Sequence, residues 1–198
     1  MKTLIRGLFL ALTLVITSVA QAQDDNNPWV ITFGINAVDS YPTNAPTNQF
    51  GGETGNWFNE FYNTSHWNIS PISTLGVSRY VADRFSLSSR FSFNQLTTFG
   101  DTSVQGTTFA SLNLVARNSL AKKSSTWEPF TEVGANYNWL DNEQYFGFTV
   151  GGGLVYWKND NLGISYQVNY NHSVESVTGL TNFQHYLGVN FKYGGVDT

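Results

Sequence analysis

The pattern that decides the fold is carried by the stretch Leu162-Gly-Ile-Ser-Tyr-Gln-Val-Asn-Tyr-Asn171. Every second residue is apolar or aromatic, and the residues between them are Gly, Ser, Gln and Asn. Because successive side chains of a β-strand point to opposite faces, this spacing predicts a strand with one apolar and one polar face. The polar face carries no charge, whereas a strand exposed to water carries Lys, Glu, Arg and Asp on its outer face. We therefore expect the apolar face to meet lipid and the polar face to line a lumen.

Similar alternation recurs in seven further segments, at residues 29–37, 67–80, 85–93, 109–117, 127–139, 146–156 and 184–193. Short connections at 81–84, 118–126 and 157–161 alternate with a second set at 39–66, 96–104, 141–144 and 172–182, of which the first is the longest. An even number of strands with short turns on one side and longer loops on the other is typical of outer-membrane barrels. The sequence thus predicts an all-β fold, an eight-stranded antiparallel up-and-down transmembrane β-barrel. We expect the longer loops outside the cell and the short turns in the periplasm.

The aromatic residues favour this barrel over the alternative of a soluble sandwich or a lipocalin-like barrel. The chain has 6 Trp, 10 Tyr and 15 Phe, although only 12% of its residues are charged. Aromatic girdles flank the lipid-facing band of a transmembrane barrel. The predicted girdles are Trp29, Phe85, Trp127, Tyr156, Phe191 and Tyr193 at the short-turn end, and Trp67, Phe93, Tyr137, Trp139, Tyr145 and Tyr170 at the long-loop end.

The N-terminus has the pattern of a secretory signal peptide. Lys2 and Arg6 precede an apolar run at 7–20 that is too short to span a bilayer as a helix, and Ala20-Gln-Ala22 matches a cleavage site. We therefore expect residues 1–22 to be a signal peptide, residues 23–195 an outer-membrane β-barrel, and residues 196–198 a C-terminal tail.

Composition and charge argue against several classes of function. The formal net charge of −4 argues against a nucleic-acid partner, because phosphate binding needs clustered Lys and Arg. The absence of Cys removes disulfides, thiolate metal sites and Cys nucleophiles. The His and carboxylate residues form no close cluster in the sequence, so we expect no metal site, no cofactor and no catalytic residues. The longer loops carry Asp and Glu but no Lys or Arg, which favours either simple loop solubility or divalent-cation bridges to lipopolysaccharide.

Five charged residues fall on the polar, lumen-facing side of the predicted strands: Arg90, Arg117, Glu128, Glu132 and Lys192. Buried charges are costly unless they are paired, so we expect a lumen charge network. Arg90 and Glu132 lie at equal heights above the starts of their strands, which predicts a pair across the lumen. The symmetric register of the neighbouring hairpin predicts Arg117 opposite Glu128, with Lys192 near the same end. Such a network would plug the barrel against ions.

The long first connection contains an aromatic patch, Trp57, Phe58, Phe61 and Tyr62, at helical spacing. It predicts a short amphipathic helical turn that caps the barrel mouth or lies on the membrane, and partner capture by this patch is the functional alternative.

The sequence His172-Ser-Val-Glu175 is the one constellation that suggests catalysis, since a His, a Ser and an acid at the outer rim would suit a lipid hydrolase. Adjacent strand residues point to opposite faces, however, so we expect the start of a polar loop here instead.

Several stretches resemble OmpA-family outer-membrane proteins of the Bacteroidota type. They are Gly55-Asn-Trp-Phe-Asn-Glu-Phe-Tyr-Asn-Thr-Ser-His-Trp-Asn-Ile69, Val77-Ser-Arg-Tyr80, Asn36-Ala-Val-Asp39 and Phe183-Gln-His-Tyr-Leu-Gly-Val-Asn-Phe-Lys-Tyr-Gly-Gly195. The resemblance implies an eight-stranded barrel. Many such proteins continue into calcium-binding repeats and a peptidoglycan-binding domain, but this sequence stops at Thr198, so peptidoglycan anchoring is not carried over.

The last predicted strand also resembles the insertion signal of outer-membrane barrels, in which a Gly precedes spaced aromatic residues, here Gly188, Phe191 and Tyr193. This resemblance implies the barrel-assembly machinery as a partner during insertion.

Together, these features favour a monomeric, non-enzymatic barrel of the bacterial outer membrane with a structural or surface role, in contact with outer-membrane lipid and lipopolysaccharide. The alternative is a surface ligand-binding or adhesion barrel that acts through its first loop. A lipid-modifying enzyme and a small-solute pore are less favoured by the pattern.

Overall fold

A computed structural model describes residues 28–45, 51–121, 125–175 and 179–194. Eight antiparallel strands, each paired with its neighbours in the sequence, form a closed barrel in which β8 pairs with β1. The strands are β1 (Trp29–Asp39), β2 (Asn68–Ala82), β3 (Phe85–Phe99), β4 (Thr102–Ser119), β5 (Trp127–Leu140), β6 (Glu143–Trp157), β7 (Leu162–Ser173) and β8 (Asn182–Tyr193). The predicted fold, an eight-stranded up-and-down barrel, is confirmed.

The long first connection lies at the end of the barrel where the sequence predicts it. Trp29 pairs with Tyr193 and with Arg79 at the short-turn end, while Asp39 pairs with Phe183 at the long-loop end. The described residues of the first loop (40–45 and 51–67) contain two single-turn 3-10 helices, Tyr41–Thr43 and Thr64–His66. In the described part of the chain, no helix has the length and apolar character needed to cross a membrane.

Four strands extend further toward the long-loop end than the sequence predicts. The expected loops at 96–104 and 141–144 are only two-residue turns, because β3, β4 and β6 continue into them. Likewise β7 continues through His172 and Ser173, which the sequence analysis assigned to a loop. Polar Thr, Ser and Gln residues in these extensions conceal the strand pattern, because the alternation of apolar with polar residues is lost there.

Apolar side chains face outward along the middle of the strands. Leu87, Val133, Val150 and Val189 are exposed on the outer wall, and the outward positions of Leu112 and Val168 are half-exposed. The inward positions between them carry Ser, Thr, Asn and Gln, most of which are buried. The polar face of the alternating strands therefore lines the lumen, and the apolar face forms a continuous outer band.

Two buried apolar layers lie near the ends of the lumen, and the sequence analysis did not anticipate them. Near the short-turn end, a buried lower layer is formed by Val30, Phe130, Val155 and Trp157. Near the long-loop end, a buried upper layer is formed by Val38, Leu96, Phe99, Phe109, Leu140, Tyr145 and Leu180.

Tyr145 belongs to this upper layer, and its assignment to a lipid-facing girdle was wrong. On β6 it shares the inward phase of Gly147 and Thr149, one residue out of step with the exposed Phe146. Its hydroxyl donates a hydrogen bond to the backbone carbonyl of Leu180 at 3.2 Å. The ring therefore packs inside the barrel mouth.

Candidate functional site in the lumen and on the outer wall

The centre of the lumen is organised by Glu132, a buried residue on β5. Its Oε1 accepts hydrogen bonds from Nη1 and Nη2 of Arg90, each at 3.1 Å, so that β3 and β5 are joined across the lumen. Its Oε2 accepts a hydrogen bond from Nη2 of Arg117 on the adjacent strand β4, also at 3.1 Å. A single carboxylate is therefore shared between two guanidinium groups.

Two amide side chains of β7 complete this cluster, and they were missed in the sequence analysis. Nε2 of Gln167 and Nδ2 of Asn169 donate to Oε1 of Glu132 at 3.0 Å and 2.6 Å. Oε1 of Gln167 in turn accepts from Arg90 and Arg117, each at 3.1 Å. Their sequence signal was present, since both lie on the polar face of the alternating stretch in β7. We call Arg90, Arg117, Glu132, Gln167 and Asn169 the lumen network.

Aromatic rings cover both guanidinium groups. The Arg90 guanidinium lies 4.6 Å from the ring centroid of Tyr186, and the Arg117 guanidinium lies 3.8 Å from that of Phe130. A planar guanidinium stacks on an aromatic face while its edge donates hydrogen bonds, which suits Arg to a desolvated position. Pairing and stacking together compensate for the removal of these charges from water.

The predicted pair of Arg117 with Glu128 is wrong. In the structure Arg117 is opposite Glu132, four residues further along β5. The long connection between β4 and β5 does not impose the symmetric register that this pairing requires. Glu128 instead accepts a hydrogen bond from Nε1 of Trp157 at 2.6 Å, and Nζ of Lys192 lies 3.6 Å from the centroid of the Trp157 ring. The five predicted lumen charges thus form two groups, one at the centre and one around Trp157.

Space for the lumen network comes from glycine on β6. A Cβ added to Gly151 would lie 2.4 Å from the carbonyl oxygen of Val168 and 2.6 Å from Oδ1 of Asn169. One added to Gly153 would lie 2.4 Å from the carbonyl oxygen of Tyr166 and 2.5 Å from Cβ of Gln167. These separations are too short for real atoms, so larger residues at these inward positions would displace the backbone of β7 together with the amides that bind Glu132.

Amide side chains fill the lumen between the lumen network and the upper layer. Nδ2 of Asn36 donates to Oε1 of Gln184 at 3.4 Å, and the Tyr186 hydroxyl donates to the same oxygen. Nδ2 of Asn171 donates to Oδ1 of Asn182 at 3.2 Å. These inward side chains are buried. Along the barrel axis, the lumen therefore contains an apolar layer, a charged network, an amide layer and a second apolar layer.

The aromatic patch of the first loop does not form the predicted helical turn. Residues 57–62 form consecutive turns, with positive φ at Phe58 (60°) and Glu60 (54°), which is incompatible with an α-helix. The rings pack instead on outward-facing aromatic residues of β7 and β8. Ring centroids of Trp57 and Tyr170 are 5.0 Å apart, and those of Phe61 and Phe183 are 4.9 Å apart.

His185 on β8 is covered by the same loop. It occupies an outward position, yet it is buried, because the Trp67 ring stacks on it at 4.3 Å and the Phe61 ring lies 4.9 Å away. Its Nδ1 is 2.9 Å from the hydroxyl oxygen of Tyr166. The segment from Trp57 to Trp67 thus packs along the outer wall of β7 and β8.

The residues considered for catalysis are kept apart. His172 points outward beside Tyr170, whereas Ser173 points inward, and its Oγ donates to the backbone carbonyl of Glu175 at 2.9 Å. Across the described segments, no group of three His, Cys, Asp or Glu side chains is placed to hold a metal ion.

The residues of the predicted insertion signal lie along β8. Gly188 faces inward at mid-strand, Phe191 is exposed on the outer wall, and Tyr193 ends the strand at the short-turn end. Their spacing follows from the alternation of the strand.

These features define the class of protein: a closed eight-stranded transmembrane β-barrel with an apolar outer band and a filled lumen. Solved structures with this fold include the outer membrane protein OprG from Pseudomonas aeruginosa, with 12% identity, 89% of this chain and 98% of that chain covered, and a TM-score of 0.60. Neisserial surface protein A is similar at 14% identity, with 83% and 97% covered and a TM-score of 0.55. The N-terminal β-barrel domain of Pseudomonas aeruginosa OprF is similar at 12% identity, with 85% and 98% covered and a TM-score of 0.52.

No family model matches the chain, and no curated protein matches it. At these identities the likeness to the solved structures is one of fold. This fold, together with the outward apolar band, is that of bacterial outer-membrane proteins and locates the chain in that membrane.

Proposed function

We propose that the protein is a structural barrel of the outer membrane that conducts neither ions nor small solutes and catalyses no reaction. The observation that carries this proposal is the sharing of Glu132 between Arg90 and Arg117 at the centre of the lumen. A pore needs a continuous column of water, and a carboxylate that bridges three strands interrupts it. The two apolar layers support the same conclusion, because buried apolar side chains occupy both ends of the lumen.

A liposome-swelling assay tests the proposal. Purified barrel is reconstituted into vesicles and diluted into an isotonic monosaccharide, with a general porin reconstituted in the same way as the positive control. We expect no swelling above that of empty vesicles, while heat-modifiable migration on a gel verifies that the barrel is folded. Swelling that scales with the amount of folded barrel would refute the closed lumen.

The proposed partners follow from the membrane location and the sequence. We propose that the barrel is a monomer that contacts outer-membrane lipid and lipopolysaccharide, and that the strand ending in Phe191 and Tyr193 is recognised by the barrel-assembly machinery. The stretches quoted above support a relationship to OmpA-family proteins of the Bacteroidota type. Depletion of the assembly machinery should leave the chain unfolded in the periplasm, whereas unchanged insertion would contradict this partner.

A second candidate function, ligand binding at the cell surface, is favoured by one cleft at the long-loop end. The cleft has a volume of about 280 Å³ and is lined by Trp57, Tyr170, Asn44, Thr54 and Glu175, among others. Aromatic rings beside hydroxyl and amide groups form a lining that suits a neutral sugar.

The charge of the longer loops argues against the kind of ligand that has been crystallised with one protein of similar fold. Ail of Yersinia pestis, at 10% identity and a TM-score of 0.51, has been crystallised with the heparin analogue sucrose octasulfate. The longer loops of the present chain have no Lys or Arg to bind sulfate groups.

Calorimetric titration with chitobiose and with sucrose octasulfate tests the cleft. The surface-binding role predicts binding of chitobiose alone, lost in Trp57→Ala, and no binding of either would argue against it.

A further inference from the structure

We infer that the aromatic patch of the first loop (Trp57, Phe58, Phe61 and Tyr62) is an anchor that lies in the outer leaflet of the membrane, with lipid as its partner. The inference rests on the proposed membrane-barrel function and extends it to a loop that the strand pattern does not cover. The carrying observation is that the patch packs on the outer wall of β7 and β8, on the side of the barrel that carries the apolar band.

The height of the contact along the barrel places the patch at lipid level. His185 and Phe183 lie eight and ten residues above Tyr193, which ends β8 at the short-turn end. With a rise of about 3.3 Å per residue and a tilt of about 40°, they lie about 20 and 25 Å above that end. The apolar band of such barrels is about 25 Å tall. The rings that pack on Phe183 and His185 therefore lie at the outer edge of the band.

The exposure of the patch side chains and the composition of the surrounding segment fit contact with lipid better than contact with water. Phe58 is 63% exposed and Tyr62 is 69% exposed, although their neighbours Phe61 and Phe183 are packed. Below them on the same wall, Leu187 and Tyr166 continue the exposed surface toward the middle of the band. Between residues 55 and 69 the sequence has one carboxylate, Glu60, and no Lys or Arg. Aromatic residues with a polar edge are the residues enriched at membrane interfaces.

The loop that carries the anchor also has a structural role, because it covers His185. An imidazole on the lipid-facing side of β8 would meet hydrocarbon near its upper edge, where polar groups are costly to leave without partners. The stacked ring of Trp67, the tilted ring of Phe61 and the hydroxyl of Tyr166 lie against it instead. The loop thereby shields a polar position on the barrel wall, and its outer rings take over the contact with lipid.

Depth measurement by electron paramagnetic resonance tests the inference. The chain has no Cys, so each single-Cys variant carries one nitroxide at a known site. We compare Tyr62→Cys and Phe58→Cys with Val133→Cys, an outward mid-strand position, and with Asn142→Cys in the exposed turn between β5 and β6. The barrels are reconstituted in phosphatidylcholine vesicles, and relaxation by oxygen is compared with relaxation by a water-soluble nickel chelate.

The expected result is that the labels at positions 62 and 58 favour oxygen over nickel, as the label at position 133 does, while the label at position 142 favours nickel. Nickel accessibility at both 62 and 58 equal to that at 142, with 133 protected, would overturn the anchor alone and favour a loop that stands in water to capture a partner. Nickel accessibility at 133 as well would overturn the membrane barrel itself. Agreement between the two loop positions guards against a local effect of losing one ring.

Discussion

Arg117 lies directly opposite Glu132 on the neighbouring strand, with Nη2 of the arginine 3.1 Å from Oε2 of the carboxylate. Arg90 approaches the other oxygen from across the lumen at the same distance. Glu132 is therefore the shared partner of two buried cations, and each cation has only a share of one carboxylate. Because one carboxylate serves two cations, we expect the loss of the carboxylate to be more damaging than the loss of one cation.

Glu132→Gln should destabilise the barrel more than Arg90→Gln. The first change leaves two guanidinium groups without their carboxylate and should cost about 3–5 kcal/mol. The second leaves Glu132 paired with Arg117 and should cost roughly 1–3 kcal/mol. Urea unfolding of the refolded barrels in lipid vesicles, followed by Trp fluorescence, measures both free energies.

The double variant supplies the control for this ranking. Removing Arg90 together with Glu132 leaves only one unpaired cation, so the loss should be smaller than the sum of the two single losses. Strictly additive losses would mean that the two side chains do not interact energetically, although their charged atoms are only 3.1 Å apart.

Gly163→Ala should destabilise the lower layer. A Cβ at this inward position would lie 2.6 Å from Cε3 of Trp157, so the indole must move away from Glu128 and Lys192. We expect a loss of about 1–3 kcal/mol in the free energy of unfolding. Gly76→Ala is the matched control, because its nearest contact, Cβ of Thr32, is at 3.4 Å. That change should be neutral or stabilise by about 0.4–1 kcal/mol, and equal losses at both sites would show that the packing of Trp157 is not the cause.

An arginine on the outer wall should be costly only near mid-membrane. Val133 is at the middle of β5 and is 61% exposed, whereas Val81 is near the short-turn end of β2 and is 59% exposed. Val133→Arg should cost about 2–4 kcal/mol and Val81→Arg about 0–1 kcal/mol, since the penalty depends on depth in the bilayer. The same unfolding assay compares them. Equal costs for the two valines would contradict the assigned band.

The orientation of the barrel can be read from two turns. Asn142 lies in the turn between β5 and β6 at the long-loop end, and Asp160 lies in the turn between β6 and β7 at the other end. An impermeant maleimide added to intact cells should label Asn142→Cys and not Asp160→Cys, while both should react after lysis. The reverse pattern would mean that the barrel is inserted with the opposite topology.

The strand alternation made the inside and the outside of this barrel predictable from sequence, because strand geometry separates the two faces residue by residue. Equal height on two strands was also enough to anticipate that Arg90 meets Glu132. The same kind of argument failed for Arg117 with Glu128, because the connection at 120–126 is too long to impose a symmetric register.

The apolar layers were missed for a different reason. Their members, such as Val30, Phe130 and Trp157, occupy inward positions near strand ends. When the alternation is judged over the whole strand, apolar residues at such positions are assigned to the lipid-facing side. Reading the phase of each end separately would have found them. The packing of Phe61 on His185 had no comparable signal, because the path of a long loop depends on tertiary contacts far apart in sequence.

The most direct test of the closed lumen is the current through the unmodified barrel in a planar lipid bilayer. With folded barrel inserted, a closed lumen predicts a membrane current equal to that of the bare bilayer, because the lumen network and the two apolar layers leave ions no hydrated path. Steady conductance steps that appear with each inserted folded barrel would contradict it.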